Sequence, residues 1–308
     1  MNQWEASTID LSTKIKPKKR RKHKEYLLAY AFISTPILGF LTFWFIPLAF
    51  SGYVSFTNYS GYQAPVPNGV ANYVRLANDP LFWKTLFNTF YAALSVPIGM
   101  VLALVIAMAL NQKIRGISFF RTAFFLPTVS SVVALTLLWK WIFNADYGLL
   151  NYLLSLIGIQ GPAWLSSEQW AMPAMIIQGS WSGLGLNMVL YLAALQNVPK
   201  SFYEAADIDG AGGWQKFTRI TIPCISPTTL YILITSMISS IQDFPRFQVM
   251  TEGGPNYSTT TIVYYLYQNA FDYLDMGYAS AMAWILGLLL MAITLLNFWI
   301  SRRWVHYE

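Results

Sequence analysis

Residues 26–74, 85–112, 122–139, 169–199, 220–242 and 276–301 of this sequence contain no aspartate, glutamate, lysine or arginine. A helix that crosses a bilayer needs about 20 mostly apolar residues. Every gap can hold one; the shortest has 18 residues, and its flanking Lys140 can extend its stem toward the membrane surface. Only 11% of the residues are charged and 55% are hydrophobic, whereas a soluble domain carries roughly 25% charge. Such a chain cannot cover a water-exposed surface. The expected fold is an all-α membrane protein with six transmembrane helices near 28–52, 87–110, 122–141, 171–196, 220–242 and 278–300. Prolines 36, 47, 97, 127, 173, 223 and 227 fall inside these spans, where neighbouring helices can satisfy the freed backbone groups. The single cysteine, Cys224, excludes an internal disulfide and a Cys-based zinc cluster and reads as a small packing residue.

The basic residues set the expected orientation. Eight of them lie between Lys14 and Lys24. Lys113, Arg115 and Arg121 follow span two, Lys200, Lys216 and Arg219 follow span four, and Arg302 and Arg303 end span six. Sixteen therefore fall on one side, leaving Arg75, Lys84, Lys140 and Arg246 on the other. Short loops rich in Lys and Arg face the cytoplasm, so both termini are expected there. The organisation is a basic tail (1–25), a six-span transmembrane region (26–304) and a short C-terminus (305–308). A polybasic stretch beside a first span is a topology anchor near anionic lipid rather than a nucleic-acid arm. The first apolar stretch also exceeds the 7–15 residues or so of a signal-peptide core and is expected to be retained.

The outer segments contain turn signals, with Asp79-Pro80-Leu81-Phe82-Trp83 read as an interfacial helix and Gly253-Gly254-Pro255 as a helix breaker. The loop at 198–214 is the most informative. Ser201 followed by Glu204 has the spacing of a capping box, and Gly210 supplies a left-handed stop. The resulting helix of about eight residues is too short to be stable alone. Small at Ala205 and Ala206 and apolar at Phe202 and Ile208, it suits either a partner's groove or a resting place on lipid.

Glu204-Ala205-Ala206, Gly210 and the closing Ile220-Thr221-Ile222-Pro223 resemble the EAA loop of ABC-importer membrane subunits. Phe120 to Pro127, Trp139 to Phe143, Asp146 to Asn151, Asn72-Tyr73 and Thr251 to Pro255 are similar to further signatures of the same group. Over residues 26–304 the chain resembles the permeases of type I carbohydrate ABC importers, including the larger membrane subunit of the maltose transporter. It lacks that subunit's two extra N-terminal spans and large external insert.

The resemblance implies a second homologous permease, two cytoplasmic ATPase subunits and an extracellular sugar-binding lipoprotein, all at a bacterial plasma membrane. Ser201, Glu204, Ala205, Ala206, Asp207, Gly210 and Ala211 would couple the chain to the ATPase. ATP and magnesium would be held by those partners. No G-x-x-x-x-G-K-[ST], H-E-x-x-H or G-x-S-x-G occurs, so neither a cofactor nor an enzymatic activity is expected in this chain.

Polar groups at membrane depth point to function. Ser236, Ser239, Ser240 and Asp243 share a helical face, with Gln242 beside them and Trp181 and Asn187 on span four. Hydroxyl, amide and aromatic groups together suit a neutral sugar, although small serines also permit plain helix packing. The resembled maltose subunit places its sugar contacts at positions corresponding to Gly179, Gly183, Leu186, Ser236, Ser239, Ser240 and Asp243. Two other readings remain: an ABC permease for a polyol or glycerophosphodiester, and a secondary transporter. Asp243 and Arg246 are spaced to pair if the helix continues past Pro245.

Overall fold

The computed structural model describes residues 19–112 and 116–306, with side chains from Glu25 onward. The basic residues Lys14, Lys16, Lys18, Lys113 and Arg115 lie outside it, as do the side chains of Lys19 to Lys24. The chain is mostly helical and divides into a unit ending at Tyr53 and a second from Val54 onward.

The first unit contains α1 (Lys19–Phe40) and most of α2 (Ile46–Val54). A π-helical turn at Leu41–Phe45 joins them. Pro47 has no N–H to donate one turn back, and the wider turn just before it absorbs the mismatch. Glu25–Val54 is long and apolar enough to cross a membrane.

The second unit opens with a short antiparallel pairing of Thr57–Asn58 with Val66–Pro67. Then come α3 (Ala71–Ala77), α4 (Pro80–Ala92), α5 (Ser95–Leu110), α6 (Ile117–Phe125), α7 (Val132–Ile142) and α8 (Leu149–Leu156). The next group is α9 (Ala171–Ser182), α10 (Leu184–Asn197), α11 (Lys200–Ile208), α12 (Gly213–Lys216), α13 (Ile222–Cys224) and α14 (Ser226–Ile241). Last are α15 (Pro245–Thr251), α16 (Ile262–Tyr267) and α17 (Met276–Ser301).

Among the described residues three helices are long and apolar enough to span a bilayer: Glu25–Val54, Pro80–Leu110 and Met276–Ser301. The number rises to five if each of two bent pairs is one span. Both bends fall at prolines inside the expected spans three and five. Ile117–Val129 and Val132–Ile142 meet at 104°. Pro127 lies in a 3₁₀ turn and the Ser130–Ser131 pair is extended, a combination that ends a helix.

Gly213–Cys224 and Ser226–Ile241 meet at 64°. Pro227 leaves the Pro223 carbonyl without its helical donor, and the Ser226 hydroxyl fills the gap at 2.6 Å. The stretch expected as a fourth span is split at Gly183 and carries buried Gln178, Ser180 and Asn187. It does not join the apolar set.

The stretch read as an interfacial helix at Asp79–Trp83 is instead the first turn of α4. Asp79 accepts from the Leu81 N–H at 2.8 Å and Pro80 occupies the first helical position. Burial alone would raise the Asp79 carboxyl, but hydrogen bonds from the Tyr278 and Tyr265 phenols and the following backbone outweigh it and hold it below the usual carboxylate range. This clasp ties α4, α16 and α17 together. Its contribution is present above the ordinary carboxylate pKa and is lost as pH falls through the lowered value.

Packing inside the second unit depends on small residues. Ala103 and Ala107 of α5 are fully buried against Met188, Tyr191 and Leu192 of α10. A Cβ on Gly99 would come within 2.8 Å of the Ser180 carbonyl. In lipid, where burial of apolar surface gives helices little drive to associate, such close approach supplies the attraction.

Candidate functional site

A cavity of about 320 Å³ lies where these packed helices separate. The interruption of α9 and α10 at Gly183 turns Gly179, Ser182, Gly183, Leu186 and Asn187 toward it. From α14 come Tyr231, Thr235, Ser236, Ser239 and Ser240, while Ser95, Gly99 and Thr128 complete the wall. Asp243 and Arg246 close the end remote from α11.

Its uncharged polar groups are hydroxyls and one amide, set beside apolar Val96, Leu186 and Leu190. Asn187 Nδ2 donates weakly to Ser236 Oγ at 3.4 Å, and the buried Ser240 hydroxyl has no hydrogen-bond partner among the described residues. An orphaned hydroxyl on a cavity wall is a position where a bound molecule can gain a hydrogen bond.

The charged pair at the cavity is self-compensated. Arg246 is 4% exposed and its Nε stands 2.8 Å from Asp243 Oδ2. The angle there is too poor for a hydrogen bond, so the contact is purely between charges. Nη1 donates to the Gln178 Oε1 at 3.1 Å and to the Met175 carbonyl at 3.3 Å. Pro245 does not prevent this pairing, because it occupies the first turn of a new helix, α15, rather than the interior of α14. Glycine at 179 is a steric requirement of the arrangement, since a Cβ there would overlap the Arg246 guanidinium.

The structure thus brings Asn187, Ser236, Ser239, Ser240 and Asp243 together, along with Gly179, Gly183 and Leu186. Trp181 and Gln242 do not line the cavity. The Trp181 ring packs edge-on against Trp139 at 5.5 Å, and Gln242 is exposed at the end of α14. The aromatic at the cavity is Tyr231, a residue 58% exposed. Tyr231, Thr235 and Ser239 are spaced by four residues, a helical signal that points to the same wall.

The 198–214 loop forms a second element. Its helix begins at Lys200 with extended Pro199 as the cap, so the capping box expected from Ser201 and Glu204 does not form. Ser201 falls inside the first turn and cannot act as a cap there. The C-terminal stop is as expected: Gly210 has φ +72°, its N–H reaches Asp207 O at 3.1 Å, and Ala211 N–H reaches Ala206 O at 2.9 Å. These are the two bonds of a Schellman turn. Lys216 pairs with Asp207, and the Tyr203 and Thr221 hydroxyls meet at 2.8 Å. The helix is thereby attached to the start of the bent α13–α14 pair. Its outer side is open: no residue of α11 is buried, Ile208 is 88% exposed and Trp214 is 75% exposed.

A long-helix protein with a polar cavity at a helix break and an uncovered, rigidly attached loop has the architecture of a membrane transport subunit. Residues 95–306 match the family described as binding-protein-dependent transport system inner membrane component, and the chain belongs to that family. The match includes every residue that lines the cavity and all of α11.

Among relatives, the probable ABC transporter permease protein YesP of Bacillus subtilis (strain 168) is 39% identical across 94% of this chain and 96% of its own. The lactose transport system permease protein LacF of Rhizobium radiobacter is 41% identical across 77% and 81%. Among solved structures, a chain of a bacterial alginate ABC transporter, in complex with alginate pentasaccharide-bound periplasmic protein, superposes with a TM-score of 0.79. It shares 26% identity and the match covers 92% of this chain and 96% of that one. The protein has the ABC importer permease fold.

Proposed function

We propose that this chain is one half of the membrane pathway of a carbohydrate importer, passing a neutral sugar or oligosaccharide delivered by an extracellular binding protein. The observation that carries the reading is the cavity: hydroxyls and an amide beside apolar side chains, one exposed tyrosine, and a charged pair already neutralised within the protein. A sugar offers many hydroxyls and an apolar ring face, and matches such a wall. A phosphodiester substrate would call for a free cation, and Arg246 is already engaged by Asp243, Gln178 and Met175. The names of relatives such as LacF support the carbohydrate class.

Hydrolysis of ATP belongs to separate subunits, and α11 is the element that docks on them. A second permease of the same family completes the pathway. The chain crosses the membrane six times with both termini cytoplasmic; the bent pairs and the interrupted α9–α10 each count as one crossing. This topology has a direct test in a Cys224→Ser background. Single cysteines at Ser7 and Ser60 are expected to label from opposite sides, and labelling of both by an impermeant thiol reagent in intact cells would contradict it.

The sugar reading is tested by isolating the chain with the subunits that co-assemble with it, reconstituting the complex in vesicles and measuring ATP-dependent uptake. Neutral oligosaccharides are expected to enter in preference to uronate oligosaccharides of equal length. Preference for the uronates would overturn the reading.

A further inference from the structure

A second cavity, also of about 320 Å³, lies at the α11 end of the same unit and plays no part in the pathway described above. Its less exposed lining is apolar, from Val198, Ile220, Pro223 and Pro227, with the exposed Phe202 beside them. Its rim carries Arg219, His306 and Asn197, and no aspartate or glutamate lines it among the described residues. Arg219 is exposed and makes no hydrogen bond or ion pair among the described residues, in contrast to the nearby Lys216, which is paired with Asp207.

The C-terminal tail is held over the rim rather than left to hang. After α17 the Val305 N–H returns to the Ser301 carbonyl at 2.8 Å, and the His306 N–H donates to the buried Ser226 hydroxyl at 3.0 Å. That bond joins the last residues of the described chain to the first turn of α14 and sets the imidazole beside the cavity.

Position along the chain determines what this cavity faces. Arg219 is the last charged residue before the uncharged stretch 220–242, and Arg302 and Arg303 mark the same boundary on α17. Cations at such a boundary lie at the depth of lipid headgroups. A cavity with an unengaged guanidinium at the rim and an apolar lining matches an amphipathic anion, with its phosphate at the top and its glycerol and first acyl carbons below. A free phosphate would leave the apolar lining unused.

We propose that this cavity holds the headgroup of an anionic phospholipid, with Arg219 and His306 on the phosphate. Bound there, the lipid spans α10, α11, the α13–α14 bend and the C-terminal tail. It would steady the element from which α11 projects. The proposal is independent of what crosses the membrane.

The test uses the full chain in nanodiscs of equal phosphatidylglycerol and phosphatidylcholine with matched acyl chains, scored by native mass spectrometry of retained lipid. Wild-type protein is expected to retain phosphatidylglycerol selectively. Arg219→Gln is expected to reduce that selectivity by about fivefold, the loss for one interfacial cation at about 1 kcal/mol. Arg219→Gln/His306→Gln should reduce it further with the melting temperature unchanged. Arg302→Gln, a basic residue at the same boundary but off the cavity, should have no effect.

Equal retention of both lipids, no loss in the double variant, or an equal loss in Arg302→Gln would overturn the proposal. So would displacement of the lipid by millimolar inorganic phosphate, which would identify a soluble-anion site instead.

Discussion

Arg246→Gln and Asp243→Asn are each expected to abolish most uptake, while the double variant recovers much of it. The two side chains face one another at 2.8 Å with Arg246 4% exposed. Removing Asp243 leaves the guanidinium charged and buried, at a cost of about 3–5 kcal/mol, and removing Arg246 leaves an unpaired carboxylate that is 23% exposed. Asp243→Asn is isosteric, but it strands the guanidinium with only Gln178 and the Met175 carbonyl. Arg246→Gln strands the carboxylate at the cavity end. Removing both charges at once removes the reason for the loss, so the effects should be strongly non-additive.

The pair also bridges α9 and the end of α14, and its failure should loosen that end of the cavity. Gly179→Ala provides an independent route to the same lesion, because a Cβ there would displace the guanidinium without changing any charge. Transport of the cognate sugar by the four variants, with assembly checked by co-purification, is the measurement. Near wild-type transport in Asp243→Asn would remove the pair from the pathway. Additive losses in the double variant would mean that each residue acts alone, as Asp243 would if it contacted sugar directly.

Gly210→Val is expected to detach the ATPase or uncouple it while leaving membrane insertion intact. At φ +72° a valine meets a cost of about 1–2 kcal/mol or more, since the left-handed region crowds its Cβ. Both bonds of the turn depend on that conformation, those from Gly210 to Asp207 and from Ala211 to Ala206. Losing them would fray the end of α11 and redirect Ile208, the most exposed apolar side chain on the helix. Among the described residues nothing lies within 4 Å of a Cβ at Gly210, so the cost is one of backbone conformation rather than of steric overlap. A large residue at the exposed Ala205 should act the same way by blocking close approach. The readout is substrate-stimulated ATP hydrolysis by the assembled complex; unchanged hydrolysis in both variants would show that α11 is not the docking element.

Where charge alone decides, the sequence is legible. The last span was expected at 278–300 and runs from Met276 to Ser301, because Asp275 caps it and Arg302 follows it. Span two begins seven residues earlier than expected. Thr85, Asn88 and Thr89 are polar in sequence, yet they are buried in α4. Asn88 donates to the Tyr257 and Thr260 carbonyls, and Thr89 accepts from the Ile262 N–H. Partners some 170 residues away cannot be read from a local pattern.

The bends at Ser130–Ser131 and Ile225 were equally hidden, since a proline in a span is compatible with a straight helix or a broken one. The serine face of α14 followed from spacing. Trp181 did not, because the side to which its ring turns is set by Trp139 on another helix. Why Gly179 must be glycine became clear only with Arg246 in place.

The central claim is that a neutral saccharide passes through the cavity between α9–α10 and α14. The direct measurement is site-specific crosslinking in the reconstituted complex during ATP-driven uptake, with a thiol-reactive neutral oligosaccharide and single cysteines at Ser236 and at Gln242 in the Cys224→Ser background. The account predicts a sugar adduct at Ser236, inside the cavity, that depends on ATP and is competed by the unlabelled sugar. It predicts none at Gln242, just outside. Labelling at Gln242 with none at Ser236, under uptake conditions, would contradict it.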